Sequence, residues 1–212
     1  MEDEKFEKLV KSFYTYLTED KHEYLSLFSR LQIQIEGWFK GELMCHFERQ
    51  KIALTNKDRE VTVDSEKSNN KEKKDKVDLK IELNNETYWI ELKHILIGYQ
   101  RGESYTLGFY FSEDTFVYSD IKKLHKIISS NPQQHGYSLV FLSTNYLNED
   151  GKECRVRDIL HTKQNLNDMY KKLTNLKDGP YISKNTSLEL SDYNDQRNFG
   201  YLLIKVNNDS AP

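Results

Sequence analysis

The run Tyr137-Ser138-Leu139-Val140-Phe141-Leu142 constrains this chain more than any other segment. It is short and almost continuously apolar, the pattern of a strand buried on both faces. Such a strand needs cover on each side, so it is expected to be the central strand of a mixed sheet flanked by helices. Helical spacing elsewhere supplies that cover. Phe6, Leu9, Val10, Phe13, Tyr14 and Leu17 mark a first amphipathic helix. A second helical stretch runs from Asp20 to Arg49 with an interruption near Ser29, and carries Leu27, Phe28, Leu31, Ile35, Trp38 and Phe39. A third helix is expected from Ser119, as N-cap, through Ile121, Leu124, Ile127 and Ile128 until Asn131-Pro132 stops it. A fourth spans Arg155 to Asn175, closed by Gly179-Pro180.

Strands are read at Val61-Thr62-Val63, Leu188-Glu189-Leu190 and Phe199–Val206, besides a hairpin described below. With 212 residues and no internal repeat or linker, the chain is expected to be a single α/β (α+β) domain. Residues 1–30 form an N-terminal helical extension, 30–145 a core, 65–76 a mobile loop, and 146–212 a C-terminal helix and strands. Two cysteines, Cys45 and Cys154, are too few for a disulfide scaffold. No apolar stretch reaches the length of a signal core or a membrane span. A cytoplasmic, reducing location follows as the default expectation, with no membrane partner.

The hairpin carries the chemistry. Val77, Leu79, Ile81 and Leu83 alternate with Asp78, Lys80 and Glu82; after Asn84-Asn85-Glu86 comes Tyr88-Trp89-Ile90-Glu91-Leu92-Lys93. Asparagine tolerates the positive φ of tight hairpin turns, so the two runs are expected to pair and bring Asp78 opposite the Glu91 end. Trp89, Glu91, Lys93 and Ile95 share one strand face, and Ile90, Leu92 and His94 the other. An acid two residues before a lysine means little by itself in a chain that is 31% charged. Asp3/Lys5, Glu19/Lys21, Glu72/Lys74, Asp120/Lys122 and Asp150/Lys152 match too. Glu91-Leu92-Lys93 differs because two charges inside an apolar run must be paired or bind metal to be buried. Two carboxylates beside one lysine make a candidate hard-cation site.

A third acid is read from the second helical stretch. Glu42 lies one turn after Trp38 and two after Ile35, which sets its carboxylate on or beside the buried stripe; Glu36 is the fallback. Gly37 and Gly41, one turn apart, suggest close approach of another backbone. The net charge of −3 gives no support to a nucleic-acid partner, but lysines gather at Lys71, Lys73, Lys74 and Lys76. A second basic cluster follows at Lys152, Arg155, Arg157, Lys163, Lys171, Lys172 and Lys177. Lys74, Lys76, Gln100 and Arg101 are candidate phosphate contacts. The histidines and cysteines show no zinc-finger spacing, and no glycine-rich phosphate loop or Gly-x-Ser-x-Gly elbow occurs.

Taken together, the Glu42 helix, Val77-Asp78-Leu79 at a hairpin and Trp89-Ile90-Glu91-Leu92-Lys93 resemble the core of the PD-(D/E)xK nuclease superfamily, over roughly residues 30–145. Val77 stands where the family's namesake proline would be. The resemblance implies a restriction-endonuclease-like fold and an Mg²⁺-dependent endonuclease, with Mn²⁺ as substitute, of restriction, defence or mobile-element type. It implies Glu42, Asp78, Glu91 and Lys93 as the catalytic set. Asp78, Glu91 and the Leu92 backbone carbonyl would be metal ligands, and Lys93 would stand near the attacking water. DNA is the expected substrate ahead of RNA, with a homodimer or a partner subunit supplying specificity. The alternative is a nucleic-acid-binding or assembly module on the same fold, its charged strand residues closed into internal salt bridges.

Overall fold

The computed structural model describes residues 2–31, 35–54, 61–63, 75–97, 99–100, 103–104, 116–129, 131–144, 187–193 and 197–208. Three helices come first: α1 (Glu2–Asp20), α2 (His22–Leu31) and α3 (Glu36–Arg49). The expected interruption therefore falls after Leu31, a little later than Ser29. The strands that follow are β1 (Ala53–Leu54), β2 (Val61–Val63), β3 (Asp75–Val77), β4 (Leu79–Leu83), β5 (Glu86–Ile97), β6 (Tyr99–Gln100) and β7 (Glu103–Ser104). Helix α4 (Phe116–Ile128), β8 (Gln134–Thr144), β9 (Ser187–Tyr193) and β10 (Arg197–Val206) complete the order.

Six strands form one mixed sheet in the order β1-β4-β5-β8-β10-β9, with β8 in its interior as the apolar run demands. β5 and β8 run parallel, and the other pairs antiparallel. β2 with β3 and β6 with β7 make two small antiparallel pairs.

The two faces of β8 are covered by different helices. Tyr137, Leu139 and Phe141 join one core with Phe6, Phe13 and Leu17 of α1, Leu25 of α2, and Phe39, Leu43 and Phe47 of α3. Rings dominate it: Phe6 lies 4.9 Å from Tyr88 and 4.5 Å from Tyr137, and Phe39 stacks on Phe141 at 4.1 Å. The Tyr14 hydroxyl donates to the Phe199 carbonyl at 3.1 Å, so its one polar atom is satisfied inside that core. On the opposite face α4 buries Val117, Ile121, Leu124 and Ile128. A Cβ on Gly136 would stand 3.3 Å from both Ile128 and Leu124, which fixes the even-numbered β8 residues on the α4 side. The mixed sheet flanked by helices is thus the observed architecture.

α4 begins at Phe116, not at Ser119. Val117 and Tyr118 are buried on it, and that burial extends the helix one turn toward the N-terminus of the expected cap. Gly37 and Gly41 also depart from expectation, because no atom would meet a Cβ at either within 4 Å. Both are exposed, and among the described residues no backbone outside their own helix approaches them closely. The expected helix at 155–175, Gly179-Pro180, residues 65–74 of the expected loop, and both basic clusters apart from Lys76, with Lys74 and Arg101, lie outside the described residues. No helix among the described residues is long and apolar enough to cross a membrane.

Candidate active site

The site is built from the hairpin outward. Asn84 and Asn85 both take positive φ, 53° and 68°, which closes a two-residue turn between Leu83 and Glu86. That turn sets the register, Leu83 with Glu86 and Leu79 with Ile90. One step further along, at the break between β3 and β4, Asp78 faces Glu91. β5 continues seven residues past Ile90, so its edge beyond that point has lost its β4 partner.

Carboxylates take over where the strand stops. Asp78 Oδ2 accepts from the Leu92 N–H at 2.9 Å, and Glu36 Oε2 accepts from the His94 N–H at 3.4 Å. Two backbone donors that a longer β4 would have satisfied are therefore held by acids. A strand residue sends its N–H and C=O to the same edge, so the Leu92 carbonyl faces the Asp78 side as well. The other Asp78 oxygen pairs with Lys40 of α3 at 2.9 Å. Burial alone would raise the Asp78 pKa, but the Leu92 N–H and Lys40 outweigh it and hold the group ionised below its ordinary range.

Glu91 and Lys93 lie on the opposite face of β5 from Leu92 and meet α4. Glu91 is 3% exposed and ion-paired to Lys123, which also approaches Asp120 at 3.5 Å and donates to the Lys76 carbonyl at 2.8 Å. Lys93 lies 3.4 Å from Asp120 and 3.9 Å from Glu36. Desolvation, helped by the charge on Asp120, pushes the Glu91 carboxyl up to about 9 despite Lys123. The charge held on Asp78 adds to the upward push on the Glu91 carboxyl. Asp120 and Glu36 are raised as well, first by burial, with Lys93 opposing. Lys93 and Lys123 would be lowered by burial, but their carboxylate neighbours win and both rise. Ser138 stands beside Glu91 in the register, wholly buried, and its hydroxyl finds no hydrogen-bond partner among the described residues.

Of the residues expected from the sequence, Asp78, Glu91, Lys93 and Glu36 come together and Glu42 does not. Glu42 accepts from the Tyr16 hydroxyl at 2.7 Å and pairs with Lys21 at 3.3 Å, on the α1 and α2 side of α3. At ~100° per residue Glu36 and Glu42 lie about 120° apart around the helix, Glu36 between the angles of Leu43 and Phe47 and Glu42 about 100° from the centre of the Phe39, Leu43 and Phe47 stripe. The wheel favours Glu36 as the acid nearer the core; only packing decides that Glu36 and Lys40 border β5. Lys76 borders the site through its carbonyl, bound to Lys123, and Gln100 lies in β6. Asp120 and Lys123 were missed. Their signal was present, because Asp120 falls one turn after Val117 and one before Leu124, beside the buried stripe of α4.

Four carboxyl groups, Glu36, Asp78, Glu91 and Asp120, thus face three ammonium groups, Lys40, Lys93 and Lys123. Comparison with protein-family models, with curated proteins and with solved structures returns no match to this chain. Among the described residues no cluster of three or more His, Cys, Asp or Glu side chains has the geometry of a preformed metal cage. The donors that are present are hard oxygens, the Asp78 and Glu91 carboxylates with the Leu92 carbonyl on the same edge. That set suits a cation such as Mg²⁺, which takes few protein carboxylates and fills its remaining positions with water and substrate oxygens.

Proposed function

We propose that the chain is an Mg²⁺-dependent phosphodiesterase acting on DNA in the cytoplasm, with a restriction-endonuclease-like core. The observation that supports it most is the opposition of Asp78 and Glu91 across the end of β4, with Lys93 two residues on along the same face as Glu91. A bound divalent cation would act as a Lewis acid on the phosphate and lower the pKa of its water.

The chain's own residues do the rest. Asp78, fixed by the Leu92 N–H, and Glu91, fixed by the central strands, hold two carboxylate oxygens on rigid elements. Lys93 keeps its proton and its positive charge through its acidic neighbours, so it can orient a water or stabilise charge that develops on the phosphate. Glu36 replaces Glu42 as the helix acid, since it reaches the β5 edge beside Lys93. Asp120 holds Lys93 from the α4 side.

A second reading rests on a different observation: each acid of the cluster has a lysine beside it. A closed ion-pair network of that kind suits a non-catalytic binding or assembly module on the same fold. The two readings separate in one experiment. Plasmid DNA, single-stranded DNA and RNA are incubated with Mg²⁺ or Mn²⁺ and wild type, Asp78→Ala or Lys93→Ala. The nuclease reading expects metal-dependent cleavage that both substitutions reduce by roughly 100-fold or more. Cleavage that survives both removes these residues from the chemistry, and no cleavage of any substrate favours the binding module.

A further inference from the structure

Lys123 is placed unlike the other lysines of the cluster. Its Nζ has three acceptors, Glu91 Oε1, Asp120 Oδ1 at 3.5 Å and the Lys76 carbonyl at 2.8 Å, which match the three N–H bonds of an ammonium group. Lys40 shares Asp78 with a backbone N–H, and Lys93 stands more than 3 Å from both of its partners. Lys123 alone rests on the most buried carboxylate, and it also ties α4 to the backbone two residues before Asp78.

We infer that Lys123 is a tethered counter-cation that occupies Glu91 until a divalent ion displaces it, so that metal loading of the site is regulated by release of α4 from the end of β3. The inference rests on the metal-site reading above. Two cations within contact distance of one carboxylate repel each other strongly where water is excluded, so the ammonium and the metal compete for Glu91. Lysine suits the role because its flexible four-carbon stem can carry the charge out to solvent when the ion arrives. The Lys76 carbonyl loses its donor in the same step, which links occupancy of the site to the strand that leads into Asp78.

Mn²⁺ binding to the full chain, followed by titration calorimetry and by the Mn²⁺-induced shift of the thermal midpoint, tests this without an activity readout. Lys123→Met is expected to bind Mn²⁺ about tenfold or more tightly than wild type, the loss of one competing charge. Its metal-free midpoint should fall and its Mn²⁺-induced rise should grow. Lys123→Arg should bind Mn²⁺ more weakly than wild type, because a guanidinium grips carboxylates in two-pronged fashion. The arginine variant keeps the test open if Lys123→Met does not fold. Lys126→Met, on the exposed side of α4, is the control. Mn²⁺ binding abolished by Glu91→Gln but unchanged or weakened in Lys123→Met, or unchanged in Lys123→Arg, would overturn the inference and leave the metal site standing. No Mn²⁺ uptake by wild type or any variant overturns both.

Discussion

The two faces of β5 solve the same problem in opposite ways. Toward α1 and α3, Ile90 and Leu92 are fully buried and apolar, and His94 beside them is kept neutral. Its Nδ1 accepts from the Ile35 N–H at 3.3 Å, so Nε2 carries the proton that faces Ser143 at 2.7 Å. Burial pushes its pKa down to about 4. Toward α4, Glu91 and Lys93 are also shielded from water, yet there titratable groups are kept, Lys93 beside Asp120 and Glu91 against Lys123. One face gains stability from packing and avoids charge; the other keeps charge at a cost in desolvation that packing alone would not select. Alternation along a single strand thus separates a face that holds the fold together from a face suited to chemistry.

The largest expected effect lies on the apolar face. Phe39 stacks on Phe141 at 4.1 Å and lies 5.5 Å from Phe199, so Phe39→Ala should cost about 3–5 kcal/mol in urea unfolding. A loss below ~1 kcal/mol would mean that this face is not the packed core and would erase the contrast.

Next comes pH. Unfolded, the Glu91 carboxyl releases its proton near 4.5; folded, it retains the proton to about 9. Between those values the folded state binds more protons, so this group lowers stability as pH rises, by at most ~1.4 kcal/mol per unit. His94 works in the other direction. Its unfolded imidazole protonates near 6.5 and its folded one near 4, so stability falls as pH drops through that window and is flat above it. Glu91→Gln should therefore flatten the decline between pH 7 and 9, while His94→Gln should flatten the acid side, each read from denaturation at several pH values. A Glu91→Gln profile parallel to wild type would show that Glu91 is ionised in the fold.

Smaller still is Gly136→Ala, whose Cβ would stand 3.3 Å from Ile128 and Leu124. It should destabilise by about 1–2 kcal/mol, since α4 must shift to accommodate it, and thermal unfolding would measure the change. Smallest is Tyr16→Phe, which removes the 2.7 Å hydrogen bond to Glu42. About 1 kcal/mol of stability should be lost. Any nuclease activity should be unaffected, because this pair lies on the far flank of α3. A loss of cleavage in Tyr16→Phe would return Glu42 to the site.

The sequence by itself determined what short-range geometry controls. Two asparagines with positive φ close the hairpin, the turn sets the register, and the register sets Asp78 opposite Glu91. The period of two put Glu91 and Lys93 on one face, and the apolar run at 137–142 became the interior strand β8. Tertiary structure alone decided which helix flanks meet that hairpin. A helical wheel gives the angle of a side chain and not the element beyond it, so the sequence favoured Glu42 with Glu36 as fallback, and the order reversed when α3 docked with Lys40 toward Asp78 and Glu42 toward Tyr16. Asp120 and Lys123 reach Glu91 only because β5 and β8 run parallel, which needs a crossover, and α4 in that crossover packs over the charged face. Contacts between residues about 30 positions apart depend on docking, and docking is set by the whole core at once.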